Sequence, residues 1–352
     1  MAREPKRRRR NPEGEGLAFA AAYLEHDHIL GMTTGLCDAG ARLKWAFDPD
    51  PRKLASFLGK FPWARAARSF DEILDDGAIG LVASAGVPSD RGPTGCRVMS
   101  AGKDYFCDKA PFTTMAQLRA ARSMVTRTRR KFAVYYSERL HVECAVRAGE
   151  LVREGAIGRV VQVLGLGPHR LRKATRPAWF FERAKYGGIL CDIGSHQFEQ
   201  FLYFSGATDA TITSASVGNF SNPDKPEFED YGEATIVGNN GTAGFFRVDW
   251  MTPDGLSTWG DGRTVILGTE GYIELRKYVD VARGTEGDHL ILVDGGGERR
   301  LDLRGKVGFP FFGLLIDDCL HRTEHAMSQA HAFKSAELCL RAQAQAKNIS
   351  PS

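Results

Sequence analysis

Asp192 and His196 stand four residues apart in the stretch Gly187-Gly188-Ile189-Leu190-Cys191-Asp192-Ile193-Gly194-Ser195-His196-Gln197-Phe198-Glu199-Gln200-Phe201-Leu202. Apolar Ile189, Ile193, Phe198, Phe201 and Leu202 recur there at three- and four-residue steps, which predicts a helix opened by two glycines. Residues four apart share a helix face, so the carboxylate and the imidazole project side by side. Such a pair can orient and move a proton near neutral pH. Taken alone, Asp-x-x-x-His more often marks a packed histidine bonded to its neighbour. The rest of the chain decides between the two.

The elements that must position this pair begin with a regular alternation. Apolar strands are predicted at Leu17 to Tyr23, Leu43 to Phe47, Ile79 to Ser84, Tyr105 to Cys107 and Phe132 to Tyr136. Helical segments fall between them: Leu30 to Ala39, Lys53 to Leu58, Phe70 to Leu74 after the cap Ser69, Gly92 to Ala101, and Met115 to Arg127. Strands alternating with helices form a doubly wound parallel sheet, which binds ligands at the carboxyl ends of its strands.

A dinucleotide site of that kind needs a glycine-rich turn after the first strand and an acid ending the second. Asp48 stands at the second place and could accept ribose hydroxyls, although it also opens an ordinary Asp-Pro turn. The glycines are absent: Tyr23-x-Glu25-x-x-His28 occupies the place of G-x-G-x-x-G. Glu25 adds negative charge where a pyrophosphate would lie, whereas His26 and His28 could donate hydrogen bonds to it. An H-x-H pair is also a metal-ligand pattern, but no nearby cysteine or third histidine supports one, and no metal is expected.

Composition narrows the classes. The 352 residues allow two domains with ample cores, and no apolar run approaches a membrane span. The formal charge of +4 is misleading, because the first ten residues contribute +5 and leave the remainder at −1. No basic footprint for nucleic acid survives in the folded part. The tail Met1 to Gly16 lacks apolar periodicity and is expected to be disordered and solvated. Leu17 to Leu24 is too short for a signal peptide. Seven scattered cysteines without a Cys-x-x-Cys suit a reducing, cytoplasmic setting.

After residue 136 the pattern changes. Val142 to Glu154 reads as an amphipathic helix, and Val160 to Gly167 as a strand leading to His169. Alternating strands follow at Thr211 to Val217, Ala234 to Val237, Gly244 to Trp250, Thr264 to Leu267, Tyr272 to Arg276 and His289 to Val293. Helices Phe312 to Leu320 and His331 to Ala346 close the chain. The expected organisation is a tail (1–16), a dinucleotide-binding domain (17–136), and a substrate-binding and oligomerisation domain (137–352). Arg139, His169, Trp179 and Arg183 are candidate substrate contacts, aromatic and basic groups suited to sugar rings and hydroxyls. Phe180 and Phe181 read as packing.

Four motifs then line up. They are Ala101-Gly102-Lys103-Asp104-Tyr105-Phe106-Cys107-Asp108-Lys109, Glu154-Gly155-Ala156-Ile157-Gly158-Arg159-Val160, Gly187-Gly188 through Asp192 and His196, and Thr264-Val265-Ile266-Leu267-Gly268-Thr269-Glu270-Gly271-Tyr272-Ile273. In this order the chain resembles the Gfo/Idh/MocA oxidoreductases, relatives of glucose–fructose oxidoreductase and myo-inositol dehydrogenase, from Leu17 to Ala346. It departs from their pattern in the missing glycines and in Asp-Lys-Ala-Pro for the usual Glu-Lys-Pro.

The resemblance implies an α/β protein: an N-terminal Rossmann sheet, then an α/β domain with an open, largely antiparallel sheet whose outer face pairs subunits into a homodimer or homotetramer. It implies catalytic Lys109, Asp192 and His196, with His196 as the acid/base and Asp192 holding its ring. Cofactor contacts fall to Leu24, His26, His28, Asp48, Ser84, Ala85, Pro88 and Lys109. The implied function is hydride exchange between NAD, or NADP, and a secondary alcohol of a sugar, sugar acid or cyclitol. Asp48 favours NAD, since a carboxylate repels a 2′-phosphate, with Arg52 nearby opposing that preference. Two rivals are redox-neutral sugar chemistry on a tightly held, recycled NAD, and a sugar-binding or regulatory protein that has lost its nucleotide.

Overall fold

The computed structural model describes residues 16–351, so the tail expected to be disordered lies, apart from Gly16, outside the described residues. Strands β1 (Ala18–Ala22), β2 (Arg42–Phe47), β3 (Arg65–Ala66), β4 (Leu81–Ser84), β5 (Asp104–Asp108) and β6 (Phe132–Tyr135) form one parallel sheet. Their order, β3-β2-β1-β4-β5-β6, is that of a doubly wound nucleotide-binding sheet, with its switch point between β1 and β4. β1, β4, β5 and β6 are buried throughout because helices cover both faces, which is why their centres read as short apolar runs without alternation.

Those helices are α1 (His28–Asp38), α2 (Pro51–Lys60), α3 (Phe70–Asp75), α4 (Pro88–Ser100) and α5 (Met115–Thr128). The sequence marks several of their starts: Asp50, Ser69 and Thr114 each accept a backbone N–H of the first turn. α4 begins at Pro88, four residues before the expected Gly92. Pro93 lies inside it, and the Ser89 carbonyl that Pro93 cannot satisfy accepts Gln117 Nε2 at 2.8 Å instead.

The remaining elements are α6 (Ser137–Leu140), α7 (Glu143–Arg153), β7 (Val160–Pro168), α8 (Arg183–Tyr186), α9 (Ile189–Asp192), α10 (Gly194–Ser205), β8 (Ala210–Gly218), β9 (Tyr231–Gly238), β10 (Ala243–Asp249), β11 (Arg263–Gly268), β12 (Gly271–Arg276), β13 (His289–Asp294), β14 (Gly297–Asp302), α11 (Pro310–His321), α12 (Gln329–Gln345) and β15 (Lys347–Asn348). Their strands build a second sheet, β14-β13-β12-β11-β7-β10-β9-β8-β15, antiparallel except at β7–β10 and β8–β15. β14 escaped the sequence reading because Gly-Glu-Arg-Arg-Leu-Asp is a polar edge strand without alternation.

α10 lies against the inner face of this sheet. It approaches closely at Gly165 of β7, where an added Cβ would stand 2.1 Å from Gln197 Oε1. The outer face leaves Val161, Val237, Leu267 and Tyr272 exposed.

Candidate active site

The two-glycine opening places Asp192 by backbone geometry that other residues resist. Gly187 and Gly188 have φ of 87° and 96°, and the first helical N–H groups are capped from outside, Ile189 by Glu229 Oε2 and Leu190 by Gln343 Oε1. Asp192 ends α9, and after the single residue Ile193 the chain resumes as α10. At this joint Ser195 Oγ donates to the Asp192 carbonyl at 2.7 Å, while His196 N–H goes to Ile193. The regular ladder is interrupted between the two residues expected to sit side by side.

That expectation is therefore corrected in one respect. Asp192 Oδ1 accepts from Lys109 Nζ at 2.7 Å, with both groups buried. No hydrogen bond joins Asp192 to His196, whose Nδ1 is buried without a partner. Lys109 follows directly on β5, so the pair spans the crevice between the two sheets. Burial pushes the Asp192 carboxyl up, but the Lys109 ammonium and its hydrogen bond outweigh it and hold the group below its ordinary value. The Lys109–Ala110 peptide is cis.

Around His196 lie His169, Tyr136 and Glu138. Glu138 is 1% exposed and accepts Lys277 Nζ at 3.0 Å and Gln197 Nε2 at 3.1 Å on one oxygen. Its other oxygen has no hydrogen-bond partner and stands 3.9 Å from His169 Nε2. His169 packs between Trp250 and Trp259, whose ring centroids are 5.3 and 4.4 Å away. Burial drives His196 down to about 3 and His169 to about 4, against the pull of Glu138 in the other direction. Both imidazoles are neutral at physiological pH.

This has a consequence for stability. Each buried imidazole binds a proton in the unfolded chain near pH 6.5 but not in the folded one, so stability falls as pH drops from 6.5. The slope is about 1.4 kcal/mol per pH unit for each histidine. Glu138, held near 2 by Lys277 despite burial, adds its own loss only below its ordinary 4.5. Thermal melts should therefore shift down by roughly 6 to 8 °C between pH 6.5 and 4.5. His169→Gln should remove about half of that slope; an unchanged slope would contradict the assignment of neutral buried histidines.

The nucleotide side is built on the loop after β1. Tyr23 takes the left-handed conformation, φ 56°, that a glycine favours, and its ring packs on Phe47 and Phe70 at 5.8 and 4.9 Å. Glu25, feared as a repulsive charge, is drawn aside: Lys53 pairs with it, and Trp179 Nε1 donates to it at 2.9 Å. A cavity of about 440 Å³ opens beside the loop, lined by Leu24, Glu25, Asp27, Asp50, Lys53 and Lys60.

His26 and His28 are half-buried over Asp108, with His28 Nδ1 at 2.8 Å from Oδ1. Arg91, fully buried, donates to Oδ2 at 3.2 Å. Asp108 thus supplies the third ligand-type group that the sequence did not show near His26 and His28. The Arg91 guanidinium already occupies that carboxylate and opposes a cation there.

Several expected contacts change role. Asp48 is 6% exposed and its two oxygens accept the Leu24 and Asp50 N–H groups at 2.6 and 2.8 Å, so it fixes the loop more than it offers itself to a ribose. Ser84, Ala85 and Pro88 end β4 and open α4, all buried; the Ser84 side chain turns inward toward Gly86 N.

Arg139 is not in the crevice. It is buried, donates through Nε to Glu199 at 2.7 Å, and stacks 3.8 Å from the Tyr203 ring centre. Arg183 pairs with Glu229, the residue that caps Ile189, and braces the glycine turn rather than facing a ligand. Trp179 is tied to Glu25 of the nucleotide loop. Glu138, Arg91, Trp259 and Lys277 were missed; an acid three residues past the end of β6 was the one available signal for Glu138.

The donor set fits a dinucleotide: His26, His28 and Lys109 gather at the carboxyl ends of β1 and β5, and an open cavity lies alongside, between the loop after β1 and α2. Comparison with known proteins agrees with the architecture. Residues 145–274 match the GFO/IDH/MocA C-terminal domain. The crystal structure of a candidate oxidoreductase from Erwinia carotovora atroseptica SCRI1043 is 50% identical and superposes with a TM-score of 0.92, over 95% of this chain and 99% of that one. The scyllo-inositol 2-dehydrogenase (NAD(+)) of Bacillus subtilis (strain 168) is 26% identical over 255 residues, 71% of this chain and 70% of that one. Levoglucosan dehydrogenase in complex with NADH and L-sorbose shares the fold, with a TM-score of 0.76 at 16% identity over 93% of this chain and 97% of that one. With two sheets in this order, a lysine–aspartate pair across their crevice and these relatives, the chain belongs to the Gfo/Idh/MocA family.

Proposed function

We propose that this crevice oxidises a secondary alcohol of a sugar, sugar acid or cyclitol, or reduces the matching ketone, with NAD as cofactor and NADP as the alternative. The bound nicotinamide supplies the hydride acceptor or donor. The observation that carries the reading is the buried Lys109–Asp192 pair facing a neutral His196 at the strand ends of a nucleotide-binding sheet.

In this reading His196 takes the hydroxyl proton, and Lys109 stabilises negative charge developing on the substrate oxygen. Asp192 holds the Lys109 ammonium in place and accepts a neighbouring hydroxyl with its second oxygen. His169 and Trp259 form a wall against which an apolar ring face can lie. His26, His28 and the loop from Leu24 hold the nucleotide, with Asp48 as the loop's internal brace. The names of the Bacillus relative and of the levoglucosan dehydrogenase complex support both a cyclitol or sugar substrate and a nicotinamide cofactor.

The apolar residues exposed on the outer face of the second sheet support a homodimer or homotetramer built on that face. All seven cysteines are free, which suits the cytoplasm, and no described helix is long and apolar enough to cross a membrane. The roles of Lys109 and His196 and the family relatives favour catalysis over a non-catalytic sugar-binding role. The test is calorimetric titration with NAD and NADP, followed by a dehydrogenase screen over inositols, aldoses and sugar acids. Nucleotide binding with reduction on at least one polyol is expected; no heat with either nucleotide would contradict the proposal.

A further inference from the structure

His196 can accept a proton at Nε2 only if the neutral ring carries its hydrogen on Nδ1, and a buried Nδ1–H needs an acceptor. In the usual arrangement a carboxylate beside the ring is that acceptor. Here Asp192 is committed to Lys109 at 2.7 Å and makes no bond to the ring, so the role is open.

Among the described residues, three buried polar atoms without a partner belong to the residues gathered around this ring: His196 Nδ1, Glu138 Oε1 and Tyr136 Oη. They belong to one cluster. Glu138 Oε2 is fixed from α10 by Gln197 Nε2 at 3.1 Å and Gln200 Nε2 at 3.5 Å, residues flanking His196, and Gln200 also donates to the His196 carbonyl at 2.9 Å. Lys277 Nζ bridges the same carboxylate oxygen and Gln200 Oε1, at 3.0 and 2.7 Å. Tyr136, two residues before Glu138, sets its ring 6.4 Å from that of His196. All of Glu138's firm partners therefore lie on one oxygen; the other stands 3.9 Å from His169 Nε2 and more than 4.0 Å from either His196 nitrogen, a gap that a bridging water or hydroxyl has to fill. His169 Nδ1 is engaged with the Gly167 carbonyl at 3.2 Å, so its Nε2, 3.9 Å from Glu138 Oε1, is an acceptor facing an acceptor. A proton-bearing group must separate them, since two lone pairs at that range in a buried pocket repel.

We infer that Glu138 is the positioning carboxylate of this active site: its free oxygen holds His196 in the Nδ1–H form and stabilises the ring once Nε2 has taken the substrate's proton. A water held by His169 or a substrate hydroxyl can carry the contact between them. Glu138 touches no reacting atom in this scheme. Its negative charge is balanced by Lys277, as that of Asp192 is by Lys109, so the site holds two ion pairs with separate tasks. The inference rests on the reading of His196 as the proton-transfer residue, and its test is independent of turnover.

The test is nitrogen NMR of histidine-labelled protein near neutral pH, which reports the tautomer of each imidazole without substrate or cofactor. His196, assigned by its loss in His196→Gln, should be protonated at Nδ1 in the unmodified protein. Glu138→Leu alone would bury an unpaired Lys277, so the companion is Glu138→Leu with Lys277→Met, checked for folding by its melt. In that double variant the Nδ1–H form should give way to Nε2–H or to a mixture, with kcat falling at least about tenfold and little change in nucleotide affinity. Asp192→Asn should leave the tautomer unchanged. Nδ1–H retained in the folded double variant, or lost in Asp192→Asn, overturns the assignment. Loss of turnover with no tautomer change instead marks Glu138 as structural. If the tautomer responds as expected but His196→Gln turns over normally, the function reading fails while the positioning of the ring by Glu138 stands.

Discussion

Lys109→Met should lower kcat by about a thousandfold while leaving the affinity for nucleotide within a few-fold of the unmodified protein. The amine sits at the end of β5 and is buried against Asp192 at 2.7 Å, the only ion pair described across the crevice at this point. Two effects combine when it is removed. The developing negative charge on the substrate oxygen loses its cation in a water-poor site, where such stabilisation is strongest. Asp192 is also left buried without a partner, which costs stability on the order of 3–5 kcal/mol. Pairing the change with Asp192→Asn separates these: the double variant should regain much of the melting temperature and none of the turnover. Steady-state kinetics beside thermal melts distinguish the outcomes, and a single variant with more than a tenth of normal kcat would remove Lys109 from the mechanism.

The second large effect is expected at His196. Replacing it with alanine should cut kcat by about 10²- to 10⁴-fold with nucleotide binding intact, because proton transfer is lost while the nucleotide loop is untouched. The ring is 1% exposed and already neutral, with burial holding it near 3. No acid limb belonging to free His196 should therefore appear in kcat/KM for alcohol oxidation between pH 5 and 8. A limb in that range that vanishes in His196→Ala would mean that the ring is ionised in the resting site. Turnover that barely changes in the variant would assign the proton to another group.

How much of this was legible beforehand follows from separation along the chain. The parallel sheet was readable because β1, β4, β5 and β6 are buried on both faces and so appear as apolar runs between helices. The polar edge strand β14 and the start of α4, with prolines at 88 and 93, were not, since neither follows a hydrophobic period. The Asp192–His196 spacing announced a helix, yet the Asp192 partner is Lys109, 83 residues away. Likewise Arg139 looked like a free base after a strand, whereas Glu199, 60 residues on, buries it. Glu138 gave least notice: Gln197, Gln200 and Lys277 lie 59 to 139 residues downstream, and only the fold gathers them. At the loop after β1, the missing glycines gave no sign that Lys53 and Trp179 draw Glu25 aside or that Tyr23 adopts a glycine-like backbone.

The central claim is hydride exchange at this crevice, and isotope transfer tests it most directly. A polyol or sugar selected by the dehydrogenase screen, deuterated at the carbon to be oxidised, is incubated with the protein and oxidised nicotinamide nucleotide, and the reduced nucleotide is examined by mass and proton NMR. One deuterium at nicotinamide C4, on a single face, absent in Lys109→Met, is the predicted result. Turnover of the sugar with the label released to water or left on carbon, or reduced nucleotide bearing no deuterium, would contradict it.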